Sequence, residues 1–233
     1  MCIRDSNTGD VIRRSDAGLL STLGWTDAAG TPSFCLEGSL FNAGTVIQWL
    51  RDGLQIIDQA PQVNELARSV PDSGGVMLVP AFTGWGTPHW DPQARGVLVG
   101  LTRDSGRGHI ARAALEGIAL AVGTLVELAE QALGTGLGEL AVDGGAAASD
   151  PLLQAQADCT GLTVRRPASL ESTARGVALF AGLQAGVISD LEQLATARRD
   201  GAELFHPQMD ASQRNRWRTR WQDAVSRSLG WHG

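Results

Sequence analysis

Not one of the 233 residues is lysine: all 19 basic side chains are arginine. A P-loop needs a lysine beside the β- and γ-phosphates, and a protein-kinase site needs one as well. Pyridoxal and Schiff-base chemistry are excluded for the same reason. Any phosphate this chain handles must meet backbone amides, helix termini, hydroxyls or arginine. Cysteine is scarce too. Cys2, Cys35 and Cys159 are far apart and odd in number, which suits a reducing cytoplasm and forms no metal cluster. No Gly-x-Ser-x-Gly elbow exists to carry Ser–His–Asp hydrolysis. His89 and His109 have no ligand spacing to a carboxylate or cysteine and read as loop and helix-start residues. His206 and His232, near the C-terminus, read as solvated. No apolar run approaches a membrane span, and the N-terminus lacks a secretory apolar region. A net charge of −6 and a pI near 5.2 argue against nucleic acid or an anionic membrane as partner.

What is present describes a globular protein, 43% hydrophobic and 19% charged, long enough for one large domain or two small ones. Met1 to Ser6 fits nothing that follows and reads as a stub. Asn7 to Phe34 alternates short apolar runs with turns at Asn7–Asp10, Asp16–Gly18 and Ala28–Gly30, the pattern of a β-meander. Apolar spacing predicts a helix over Leu40–Ile57, with Gly44 and Gln48 four apart on one face. Val76–Pro80 and Gly96–Leu101 read as strands around a Gly-, Pro- and Trp-rich segment. His109–Leu133 reads as a long buried helix, Leu162–Arg165 as a strand, and Ser172–Gly186 as a small-residue helix able to pack closely. From Ala211 to Leu229, Trp217, Trp221 and Val225 form an apolar stripe that docks on the body, with Arg214, Arg218 and Arg220 around it.

The most informative stretch runs from Glu139 to Gln154. Glu139–Val142 reads as a short strand, Asp143-Gly144-Gly145 as a sharp turn, and Asp150-Pro151 as N-cap and first residue of a helix. Paired glycines there permit positive φ and let a ligand lie against bare backbone. The following helix N-terminus favours an anionic ligand. Ordinary strand-to-helix connectivity explains the same pattern. Asp143 reads as a turn residue held by Asx-type hydrogen bonds. Asp91 is an isolated carboxylate, and Trp85 and Trp90 either pack beneath their loop or stack on a ligand. Gly44 marks either close helix packing or room for a ligand beside the helix.

Gly96 to Leu101, a short loop, and then His109-Ile110-Ala111-Arg112-Ala113-Ala114-Leu115-Glu116 closely resemble the second signature of the FGGY carbohydrate kinases. Leu36 to Gly44, Ile47 to Asp52, Pro80 to Gly84 and Trp90 to Gly96 are most similar to the glycerol-phosphorylating branch of that family. The likeness runs from about Asn7 to Trp231. It implies an α/β fold: the C-terminal lobe of a ribonuclease-H-like, actin-like ATPase, a mixed sheet flanked by helices over residues 7–233.

The resemblance also implies ATP in a cleft between two lobes, with Gly44 and Gln48 on its phosphate and ribose side. Gly144 and Gly145 would lie against the nucleotide, and Ser149 would reach towards adenine. The relatives usually carry asparagine at that last position, and serine is shorter. The loop wording at Trp85, Thr87 and His89 departs from the family's as well. The implied whole enzyme is cytoplasmic and homo-oligomeric, and it transfers phosphate from ATP to glycerol or a related polyol with Mg2+. Its general base, metal aspartate, first phosphate loop and polyol contacts all precede this segment. Losing the base alone costs ~10²–10⁴-fold, so the chain by itself is expected not to turn over. A lobe of another pentulose or polyol kinase, and a non-catalytic nucleotide-binding module, are the alternatives.

Overall fold

The computed structural model describes residues 2–27, 30–188 and 201–231. Met1, Ala28, Ala29 and His232, which figure in the expectations above, lie outside these residues. The fold is organised around one helix, α3 (Arg107–Leu133). Gly106 opens it, with its N–H donating to the His109 ring, and Gly134 closes it in the left-handed conformation at φ 69°. Alanines and branched residues bury α3 on nearly every side. By length and hydropathy it is apolar enough to cross a membrane, contrary to the sequence expectation, but 72% of that window is buried inside the protein. Gly117 makes the closest approach. A Cβ there would sit 2.1 Å from the Leu78 carbonyl oxygen, so only glycine lets α3 lie on strand β4 (Met77–Val79).

β1 (Cys2–Gly9), β2 (Leu20–Thr26) and β3 (Pro32–Leu40) form an antiparallel sheet in the order β1-β3-β2. The expected meander is therefore corrected: β3 is the central strand, because its buried face carries Leu36, Gly38 and Leu40 towards the core. The backbone of residues 2–6 pairs with Leu40–Leu36. β4 pairs antiparallel with β5 (Val97–Val99). β6 (Glu139–Ala141) pairs parallel with β7 (Thr163–Arg166), which pairs antiparallel with β8 (Glu203–Phe205).

The helix expected over Leu40–Ile57 is shorter. Leu40 ends β3, and α1 spans Gly44–Gln48 and loosens into a π turn over Trp49–Gly53. Bonds from Thr45 to Asn42 and from Asn42 to Thr83 fix the strand-to-helix bend, and Gln55 at φ 54° prevents continuation. α2 (Gln62–Arg68) and α4 (Asp150–Thr160) pack against α3. α6 (Ala211–Ser226) docks through Trp221, Ala224 and Val225, as its stripe predicts, with Arg218 pairing to Glu127 at 2.8 Å. α5 (Ser172–Gln184) departs from expectation. It buries no residue, and Val177 and Phe180 are 67% and 63% exposed.

Candidate functional site

The strand-to-helix turn is built from both sides. The Val142 N–H donates to the Arg165 carbonyl, and the Gly144 N–H to the Leu170 carbonyl at 2.9 Å. Gly144, at φ 76°, then reverses the chain into a 3-10 turn over Gly145–Ala148. A Cβ placed on Gly144 or Gly145 meets no atom within 4 Å, so the backbone here faces open space. The N-cap of α4 is Ser149, not Asp150: its hydroxyl accepts the Leu152 N–H at 3.3 Å. The helix therefore opens one position earlier than expected, with Asp150 and Pro151 as its first two residues. No hydrogen bond reaches the Asp143 carboxylate among the described residues, so the expected Asx role is corrected as well.

Arg166 takes over that role. Its Nη1 donates to the Ala147 carbonyl at 3.0 Å and to Asp150 at 2.9 Å, its Nη2 donates to Glu203, and its guanidinium lies 5.2 Å from the Phe205 ring centroid. Burial works against its charge, but the Glu203 and Asp150 bonds outweigh it and hold the pKa above the usual arginine value. Asp150 also accepts Arg68 of α2 at 3.1 Å. One residue earlier, the Ser149 hydroxyl donates to the Asn64 side-chain oxygen at 2.6 Å. Asn64, Arg68 and Arg166 were not singled out from sequence. The Arg165-Arg166 doublet at a strand end was the one available signal.

Gly44 and Gln48 are both exposed on α1, and a Cβ on Gly44 meets nothing within 4 Å. Val46, Ile47 and Leu50 anchor that helix in the same core as Leu152 of α4. α2 is the next helix after the π turn, eight residues on, and bonds to the start of α4 through Asn64 and Arg68. The chain thus leads from the glycine-bearing helix through α2 to the residues beside the glycine turn.

Gly44, Gln48, Gly144 and Gly145 line neither of the two large cavities. The larger, about 750 Å³, lies between α2, α3, α4 and α6 and reaches the turn's surroundings at Arg68, Asp150, Pro151 and Phe205. Its floor holds Glu116, pushed up by burial against the pull of Arg112 at 2.9 Å. A second, about 490 Å³, runs beneath β6 to Asp143. Both are lined by side chains and partly open to solvent, whereas the glycines offer bare backbone. The other sequence candidates are structural. Trp85 is 4% exposed beneath its loop, with its Nε1 donating to the Thr87 carbonyl, and the Trp90 Nε1 donates to the Gly18 carbonyl. Asp91 accepts N–H bonds from Gly230, Gln93 and Ala94.

Residues 5–185 match the C-terminal domain of the FGGY family of carbohydrate kinases. The chain belongs to that family. It is 50% identical over 230 residues to the glycerol kinase of Aromatoleum aromaticum and 45% identical to glycerol kinase 2 of Thermotoga maritima, covering 99% of this chain and 46% of each relative. The chain thus spans about half the length of the relatives it matches. Among solved structures, glycerol kinase from Plasmodium falciparum with ADP superposes with a TM-score of 0.88 at 30% identity over 97% of this chain. Xylulose kinase from Lactobacillus acidophilus, at 21% identity and a TM-score of 0.73, shares the fold. The matched region is the C-terminal domain of this carbohydrate-kinase family.

Proposed function

We propose that these residues hold the nucleotide for an enzyme converting ATP and glycerol to ADP and glycerol 3-phosphate. One observation carries the reading: Gly44 and Gly145 both present backbone on which an added Cβ would touch nothing. Such bare backbone gives a nucleotide room to approach where no lysine is available. Gly144 and Gly145 lie against the phosphates, with the N-terminal end of the eleven-residue α4 behind them. Gln48 offers a side-chain amide to the ribose, and Ser149 closes the base end. Arg166 keeps the turn in register through Ala147.

The polyol, the general base and the remaining phosphate contacts belong to the other half of the enzyme. Among the described residues no group of three or more His, Cys, Asp or Glu side chains could hold a metal ion. On the family resemblance, Mg2+ belongs to that half and to the nucleotide it accompanies. The buried thiol of Cys159 fits a reducing cytoplasm. Whole-enzyme assembly as a homo-oligomer belongs to the same proposal.

The test is equilibrium dialysis of ADP against the purified chain, beside an ADP-release assay with glycerol and Mg-ATP. One saturable ADP per chain without glycerol-dependent turnover is expected. Absence of saturable ADP binding overturns the nucleotide reading, and turnover well above background overturns the division of labour.

A further inference from the structure

The geometry points to a second ligand site in the cavity of about 750 Å³ between α2, α3, α4 and α6: a pocket for a phosphate monoester on a flat apolar body. None of Gly44, Gln48, Gly144 and Gly145 lines it, so the site stands apart from the nucleotide reading above. Its carboxylates already accept bonds from the protein. Asp150 accepts Arg68 at 3.1 Å and Arg166 at 2.9 Å, and Glu116 accepts Arg112 at 2.9 Å. Asp158 accepts the N–H groups of Gln208 and Met209 at 2.6 and 3.2 Å, and Asp72 that of Gly74 at 2.7 Å.

Two of its guanidinium groups are largely uncommitted. Arg216 and Arg220 stand four apart on one face of α6, exposed, and pair with no carboxylate among the described residues. Arg216 donates to the Ser212 hydroxyl at 2.6 Å and Arg220 to the Gly75 carbonyl at 2.8 Å. A guanidinium carries five N–H donors, so most of theirs have no protein acceptor. Like charges at this spacing repel along a helix, and a dianion between them removes that repulsion. A phosphate monoester supplies close to two negative charges at pH 7 and three acceptor oxygens that match the guanidinium fork. The rest of the cavity has room for more than the phosphate. Trp217, half-buried, lines it together with Leu115, Ala155 and Met209. The Trp217 indole N–H meets no protein acceptor among the described residues, whereas that of Trp221, one turn on, donates to the Thr124 hydroxyl at 3.1 Å. The volume falls within the roughly 300–1,000 Å³ of small-molecule sites, and a bare phosphate would leave most of it empty. The ligand's body therefore lies against Trp217 and the apolar wall, with its phosphate on Arg216 and Arg220.

The probe is 1-naphthyl phosphate, titrated into the labelled chain and followed by calorimetry and by the Trp217 indole resonance. It should saturate at one per chain and move that resonance. 1-Naphthol and inorganic phosphate, each offering half of the recognition, should bind at least tenfold more weakly. Arg216→Gln combined with Arg220→Gln should weaken the probe at least tenfold, the scale of one charge-assisted hydrogen bond. Arg103→Gln with Arg107→Gln removes the same charge from outside the cavity and should change the affinity less than twofold. Saturating ADP should leave the probe's affinity unchanged; displacement by ADP would keep the cavity as a phosphate-ester site and overturn the glycine reading instead. Absence of saturable probe binding, an affinity that survives the Arg216 and Arg220 double variant, or binding that leaves the Trp217 resonance unmoved overturns the inference.

Discussion

A methyl group at residue 145 separates a ligand's needs from the fold's. The structure has open space there, so Gly145→Ala should leave the thermal midpoint within about 2 °C, within the scatter of a neutral substitution. It should nonetheless weaken ADP binding at least tenfold, because the nucleotide would occupy that space; calorimetry beside a melting curve checks both. Gly117 is the opposite case. A Cβ there lies 2.1 Å from the Leu78 carbonyl oxygen, and Gly117→Val should cost at least about 2 kcal/mol in a denaturant titration. Cys159 is fully buried, and burial pushes its thiol up to about 12. It should resist alkylation at pH 8 in the folded chain and react once the chain is denatured, a difference readable by mass spectrometry.

At the scale of elements, Asp91 ties the Gly- and Pro-rich loop to the tail beyond α6. Hydrogen bonds from the N–H groups of Gly230, Gln93 and Ala94 hold its carboxyl below the ordinary aspartate value of 3.8. A carboxylate with a lowered folded pKa stabilises above its unfolded value, and that stability is lost as pH falls through the folded value. Asp91→Ala should therefore melt earlier than the unaltered chain at pH 7, and the gap should narrow as pH drops below about 3.8. Melting curves across pH 2–7 measure it.

Elements with strong local signals were legible in the sequence. α3 announces itself through a long apolar run ending in glycine, and α6 through tryptophans four apart. Elements fixed from a distance were not. The N-cap of α4 fell to Ser149 because its hydroxyl alone points back to Leu152, while Asp150 is drawn outwards by Arg68 and Arg166. The helix after β3 starts late because β3 needs Leu40 for pairing. α5 has the small residues of a close-packing helix, yet nothing among the described residues covers it.

For the molecule as a whole, the likeness to FGGY kinases gave the fold and the glycine turn, since both depend on backbone shape that glycine spacing records. It did not give Asn64 or Arg166, whose roles arise from contacts across 85 and 19 positions of chain. The account's central claim is that two glycine-bearing segments, far apart in sequence, grip one nucleotide. Amide chemical shifts of the labelled chain on addition of ADP test it most directly. Gly44, Gln48, Gly144 and Gly145 should move together along one saturation curve. Shifts confined to Arg216, Arg220 and their neighbours in the large cavity, or to one glycine segment without the other, would contradict it.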